Sequence, residues 1–159
     1  MKVIDINSKN SLQGAASVFE EGGILVFPTD TVYGIGCLIN QKTIRRLYRI
    51  KQRPLSQPTA ILMSRKVFGK TFQDKINNQE FLEGKLTLLL SRDLFKTQLP
   101  KILIKNGKVG IRLPQYPWLE KIIDKVGPMV VSSANKKGAS PPAKFVNTKK
   151  DPLAQVFLL

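Results

Sequence analysis

The sequence predicts an α/β fold in one domain, and three observations carry that prediction. Segments with a helical apolar period alternate along the chain with short apolar runs rich in Val, Ile and Leu. The 159 residues contain no repeat, no heptad pattern and no internal linker, and a chain of this length can bury roughly 70% of its unfolded surface around one core. Two apolar runs, "ILVF" before "PTDT" and "MVV" before "SSAN", drive into short hydroxyl-rich loops, and the ends of such strands are where α/β sheets hold ligands.

Leu12, Ala15, Ala16 and Phe19 repeat at helical spacing after a Ser/Asn-rich start, and Gly22-Gly23 supply the stop. Residues 24–27 read as a buried strand broken by Pro28, and 33–39 as a second strand. Its glycines, Gly34 and Gly36, predict that a bound group lies close against the backbone. Asn40 is placed to cap the next helix, whose Ile44, Leu47 and Tyr48 share one face. Lys51 continues that apolar face seven residues after Ile44, whereas Lys42, Arg46, Arg49 and Arg53 form the solvated stripe, and Pro54 ends the helix. "TAILM" (59–63) is a strand, 65–73 a weaker helix with Val67, Phe68 and Phe72, and "KLTLLL" (85–90) another strand. "KVGIRLP" (108–114) alternates apolar and non-apolar residues, with Arg112 among them. Pro117 suits the first turn of a helix carrying Leu119, Ile122, Ile123 and Val126, closed by Gly127. After the strand in "PMVVSSAN", residues 136–145 read as a loop, followed by a short helix and "VFLL".

Composition narrows the chemistry. Lys and Arg number 26 against 11 Asp and Glu, giving +15 and a pI near 10.2, so anionic partners are favoured. No acid occurs between Asp30 and Asp74, a window holding nine cations from Lys42 to Lys70. Histidine is absent, which removes the commonest general base and most transition-metal sites. Chemistry must therefore come from positioning and cationic electrostatics. Cys37 is the only cysteine, so it forms no internal disulfide and reads as a small buried hydrophobe. No run approaches the ~18 apolar residues of a membrane span, and the amino terminus lacks the apolar core of a signal peptide. A cytoplasmic protein is expected, with no membrane partner.

Four groups of residues could carry function. "PTDT" alone is an ordinary turn, and the full phosphate-binding glycine fingerprints are missing; its functional reading is that backbone amides and the Thr29 and Thr31 hydroxyls line a cleft. In Lys51-Gln52-Arg53-Pro54 a lysine turned inward wants an anionic partner, and with no acid nearby in sequence a bound phosphate would serve. Ser133 and Asn135 can donate to phosphate oxygens or to a polar ligand. Arg112, on a strand packed inward, is placed to fork onto a carboxylate or phosphate.

"FPTDTVYGIG", "IKQRPLSQP", "LEGKLTLLL", "VGIRLP" and "VSSAN" occur in the order and approximate spacing of one family. From about residue 12 to 145 the chain resembles the YrdC-like threonylcarbamoyl-AMP synthases. The resemblance implies a single YrdC-like domain over 1–159, with a strongly twisted, mixed β-sheet, flanking helices and a large basic concavity. It implies an enzyme that condenses L-threonine, bicarbonate and ATP into threonylcarbamoyl-adenylate and pyrophosphate, for N6-threonylcarbamoyladenosine (t6A) modification of tRNA by a downstream transferase complex. Thr31 and Arg112 would bind threonine. Lys51 and Arg53 would hold the ATP phosphates and act in catalysis, and Gln57, Thr87, Ser133 and Asn135 would complete the nucleotide side. Mg²⁺ would arrive with ATP, held by the triphosphate and water rather than by a metal site of the protein. Direct binding of tRNA or double-stranded RNA is a further expectation, and the alternative to an enzyme is a non-catalytic module of the same fold that binds structured RNA. The sequence departs from the family pattern at Gln57, usually Asn; at Leu62, in some relatives His; and at "EGKLT", usually Pro-Gly-Pro-x-Thr. It stops at Leu159, before a Ser-Thr-containing segment that helps close the site, which makes it a short, C-terminally truncated member.

Overall fold

A computed structural model describes residues 3–72, 86–135 and 155–158. In chain order the elements are β1 (Val3–Asp5), α1 (Ser11–Glu20), β2 (Leu25–Phe27), β3 (Gly34–Leu38), α2 (Gln41–Ile50), β4 (Ile61–Leu62) and α3 (Arg65–Phe72). These are followed by β5 (Leu88–Ser91), β6 (Ile104–Lys105), β7 (Lys108–Arg112), α4 (Pro117–Val126), β8 (Met129–Ser133) and β9 (Gln155–Leu158). The nine described strands join one sheet in the order β1-β9-β2-β3-β8-β4-β7-β5, with β6 paired to β7. Only β4 and β7 run parallel, so the sheet is mixed as expected. The loop expected at 136–145 and the short helix before "VFLL" lie outside the described residues.

Local chemistry accounts for the helices. Gly22 takes φ +77° at the end of α1, where the Gly22 and Gly23 amides donate to Phe19 O and Val18 O; this double bond closes a Schellman turn that only a left-handed residue permits. Asn40 Oδ1 accepts from the Lys42 and Thr43 amides at 2.9 and 3.3 Å, the predicted cap of α2. Ser64 Oγ accepts from Val67 N at the start of α3 and donates to Asp124 Oδ1 of α4, tying the two helices together. Pro117 opens α4 and Gly127, at φ +91°, closes it.

The pleat sorts the core onto two faces. Ile24, Val26, Ile35, Cys37, Ile61, Ile111 and Val130 pack under α2 and α3. Leu25, Phe27, Leu62 and Met129 pack under α1 and α4. The space over Gly36 is taken by the protein itself, which corrects the expectation of a bound group there, while Gly34 both makes room for Val131 and lines a hollow at the surface. A Cβ on Gly36 would stand 2.8 Å from Val131 Cγ2, 2.9 Å from Val130 O and 3.1 Å from Phe27 Cζ, and one on Gly34 would stand 2.8 Å from Val131 Cγ1. The glycines make room for the Phe27 ring and for Val131 of the neighbouring strand.

Cys37 is fully buried, and that burial pushes its thiol up to about 12. Because the thiolate is the reactive form, a thiol reagent should label the native protein roughly 10³-fold more slowly than an ordinary cysteine. Stopped labelling followed by mass spectrometry checks this, with full modification expected once denaturant is added. No helix among the described residues is long and apolar enough to cross a membrane.

Candidate functional site

The β3–β8 ladder brings the two hydroxyl loops together. Its register pairs Gly34 with Ser133, and the Ala134 amide extends it by donating to Tyr33 O at 2.7 Å. The loop 28–33 is held in shape from within: Thr29 Oγ1 donates to Val32 O at 2.6 Å and accepts from the Thr31 amide at 3.2 Å. Arg112, at the end of β7, donates through Nη2 to Asp30 Oδ1 at 2.9 Å and to Thr31 Oγ1 at 3.0 Å. Strands β8 and β4 separate β3 from β7, a distance of roughly 14 Å at ~4.8 Å per strand, so the loop leans over the sheet face to meet that guanidinium. Between loop and sheet lies a hollow of about 130 Å³, with Thr29, Asp30, Thr31, Thr87, Arg112 and Ser133 in its walls.

A second hollow of about 110 Å³ adjoins the first and shares Ser132 and Ser133 with it. Lys51, Arg53, Pro54, Gln57 and Asn135 complete its lining. Here α2 ends in another Schellman turn: the Gln52 and Arg53 amides donate to Arg49 O and Tyr48 O, with Gln52 at φ +50°. A non-glycine residue pays about 1–2 kcal/mol for that conformation, and it places Lys51 and Arg53 on either side of the reversal. Lys51 Nζ donates to Ser133 O at 2.5 Å, to Asn135 O, and to Asn135 Oδ1 at 3.2 Å. Ser133 Oγ donates to the same Asn135 Oδ1 at 2.5 Å. Arg53 holds the following loop, donating from Nε to Gln57 O at 2.8 Å and from Nη2 to Pro58 O at 2.9 Å, with its guanidinium 5.8 Å from the Tyr48 ring centre. Partial burial, and then the neighbouring charge of Arg53, hold the Lys51 ammonium below the usual lysine range.

A family model described as Telomere recombination, covering Sua5, YciO and YrdC, matches residues 17–157. The chain belongs to the Sua5/YciO/YrdC family. It is 30% identical to the threonylcarbamoyl-AMP synthase of Hydrogenovibrio crunogenus over 144 residues, covering 82% of this chain and 75% of that one. Its fold superposes on the Pyrococcus abyssi Sua5 complexed with L-threonine with a TM-score of 0.73 at 25% identity, over 86% of this chain and 42% of that one. Escherichia coli YciO shares the fold, with a TM-score of 0.71 at 22% identity over 87% of this chain and 70% of that one.

Within this Sua5/YciO/YrdC domain the residues singled out from sequence divide between the two hollows. Thr31 and Arg112 are bonded to each other in the first. Lys51, Arg53, Gln57 and Asn135 line the second, and Ser133 lines both. Thr87, expected on the nucleotide side, stands in the first hollow beside Gly110. The inward Lys51 meets carbonyl and amide oxygens at the end of β8, acceptors that a search for acidic neighbours in sequence overlooks. The acid-free window does not form one basic concavity: Lys42, Arg45, Arg46 and Arg49 line a separate hollow of about 820 Å³ beside Glu20 and Glu21, and only Lys51 and Arg53 reach the site. Asp30 was missed, since nothing in local spacing ties it to a cation 82 positions away.

Proposed function

We infer that this domain is a transferase that makes threonylcarbamoyl-adenylate from L-threonine, bicarbonate and ATP, releasing pyrophosphate, for t6A modification of tRNA. The observation that carries the reading is the pair of adjoining hollows sharing Ser132 and Ser133. One is walled by hydroxyls and an arginine and suits an amino acid; the other holds two cations and suits a polyphosphate. The names of the relatives support the same reading.

In the proposed reaction bicarbonate takes the proton that the threonine ammonium gives up and loses water to leave carbon dioxide. The amine attacks its carbon, an N–C bond forms as one C=O π pair moves onto oxygen, and the second amine proton passes to solvent to leave the carbamate. A carbamate oxygen then attacks the α-phosphorus; an O–P bond forms, the bond to the β-phosphate oxygen breaks, and pyrophosphate leaves. The chain's work is to hold two anions together and neutralise charge as it builds, which lysine and arginine perform without a histidine base. Thr31 and Arg112 hold the amino acid. Lys51 and Arg53 receive the triphosphate, Lys51 exchanging its β8 carbonyl partners for phosphate oxygens. Magnesium enters as part of the ATP substrate, held by the triphosphate and water.

Pyrophosphate release by the purified chain should require both L-threonine and bicarbonate. ATP consumption indifferent to the amino acid, or nucleotide-independent binding of structured RNA as the sole activity, would overturn the assignment. The pH profile gives a second check. Because the Lys51 ammonium sits below the usual lysine range, kcat/KM for ATP, which reports the free enzyme, should fall on the alkaline side at a lower pH than an ordinary lysine would give. The same lowered value works against the charged form in the fold, so the small stability cost of Lys51 is present below its folded pKa and disappears as pH rises through the unfolded one.

A further inference from the structure

Tyr48 shares the apolar face of α2 with Ile44 and Leu47, and for filling the core its hydroxyl is superfluous. The residue is 2% exposed, yet that hydroxyl is engaged. It donates to Gln57 O at 3.0 Å and stands 3.1 Å from Thr59 Oγ1, a buried hydroxyl able to donate in return. Both partners lie beyond the helix, in the segment that runs from the α2 reversal to β4.

Arg53 closes on the same segment. Its Nε also donates to Gln57 O, at 2.8 Å, so one carbonyl accepts from both the phenol and the guanidinium. Nη2 donates to Pro58 O at 2.9 Å, the Arg53 amide donates to Tyr48 O at 2.9 Å, and the guanidinium carbon lies 5.8 Å from the Tyr48 ring centre. Tyr48 thus meets Arg53 through its backbone carbonyl, its ring and the shared acceptor. Residues 54–57 are exposed, so hydrogen bonds rather than core packing fix where Gln57 O stands. Both side-chain bonds of Arg53 leave from the Nε–Nη2 edge, which leaves Nη1 for an anion in the hollow that Arg53 lines. The place of Nη1 therefore follows from the place of Gln57 O, and the buried phenol ties that oxygen to the body of the domain.

We propose that Tyr48 is a positioning residue of the second hollow: through Gln57 O and its ring it holds Arg53 in the orientation that receives a phosphate, without touching the ligand itself. The proposal rests on the reading that the second hollow takes the triphosphate. A donor held in place beforehand gives up less conformational freedom when the anion arrives, so the phenol acts on ATP and not on the amino acid.

The test is Tyr48→Phe, which keeps the ring and removes only the hydroxyl. Loss of this hydrogen bond should raise KM for ATP roughly 3- to 10-fold, leave KM for L-threonine within about twofold, and lower the melting temperature by only ~2–4 °C. In an Arg53→Ala background the same substitution should change ATP affinity, measured by calorimetry, by less than about twofold, because the effect passes through the arginine. A melting shift with unchanged ATP affinity overturns the proposal and leaves Tyr48 a packing residue. Equal losses for ATP and threonine, or an undiminished loss of ATP affinity when Arg53 is already gone, overturn it as well. If the wild-type chain shows no threonine-dependent pyrophosphate release, the reaction assigned above falls, and the calorimetric comparison with ATP still decides the role of Tyr48; a wild-type chain that binds no ATP overturns both.

Discussion

Lys51→Ala should lower pyrophosphate release by on the order of 10²–10³-fold, the scale on which losing one aimed donor acts on a developing anion. The side chain leaves α2 at the reversal, reaches the end of β8 and lies in the wall shared with Arg53. Its three protons are all aimed at oxygens, so a phosphate entering this hollow meets a donor already held in place. The fold should survive: the lysine is only partly buried, the carbonyls it releases can take water, and a cost of about 1 kcal/mol would move the melting temperature by only ~2–4 °C. Arg53→Ala should reduce the rate likewise, with an added loosening of residues 54–58, because its Nε and Nη2 hold Gln57 O and Pro58 O. Arg45→Ala removes an equal charge from the exposed face of α2. It should leave turnover within about twofold, since salt screens such charges beyond ~8 Å. Steady-state rates with thermal melts on the three variants check this, and near-normal rates in both Lys51→Ala and Arg53→Ala would remove the phosphate assignment.

Gly36→Ala should destabilise the protein by about 3 kcal/mol, at the upper end for a group forced into a packed core. The methyl would press on Val130 O, which the β3–β8 ladder prevents from moving, as well as on Val131 and Phe27. Gly69→Ala is the internal contrast: a Cβ there meets nothing within 4 Å on an exposed position of α3. Alanine in that helix interior should stabilise by about 0.5–1 kcal/mol. Denaturant titrations of both variants measure the signs directly. Equal stabilisation at both positions, which is what backbone entropy alone would give, would show that packing is not what excludes alanine at Gly36.

Much of the fold is legible in the sequence. Helices α1, α2 and α4 announce themselves because caps and stops are local chemistry: Asn40, Gly22-Gly23, Pro117 and Gly127 each act within one turn. Strands β1, β6 and β9 do not, because two to four residues carry too little period to distinguish pairing from coil. The β4 strand is shorter than "TAILM" suggests; Thr59 instead faces the Tyr48 hydroxyl at 3.1 Å. At the site, residue type and inward placement are legible for Lys51 and Arg112, but their partners are not, since Ser133, Asn135 and Asp30 stand 82 or 84 positions away and only the strand order brings them near. Gly36 reads as room for a ligand because a sequence shows a missing side chain without showing what fills the space.

The site hangs from the middle of the sheet. Strands β8 and β4 lie well inside it, while β1 and β5 form its two rims. Fraying at the β1 rim, or an extra strand added there, leaves the span between the two loops undisturbed, whereas the β5 rim adjoins Thr87 and the strand that carries Arg112. Such a domain can be lengthened along β1 while the two adjoining hollows keep their arrangement.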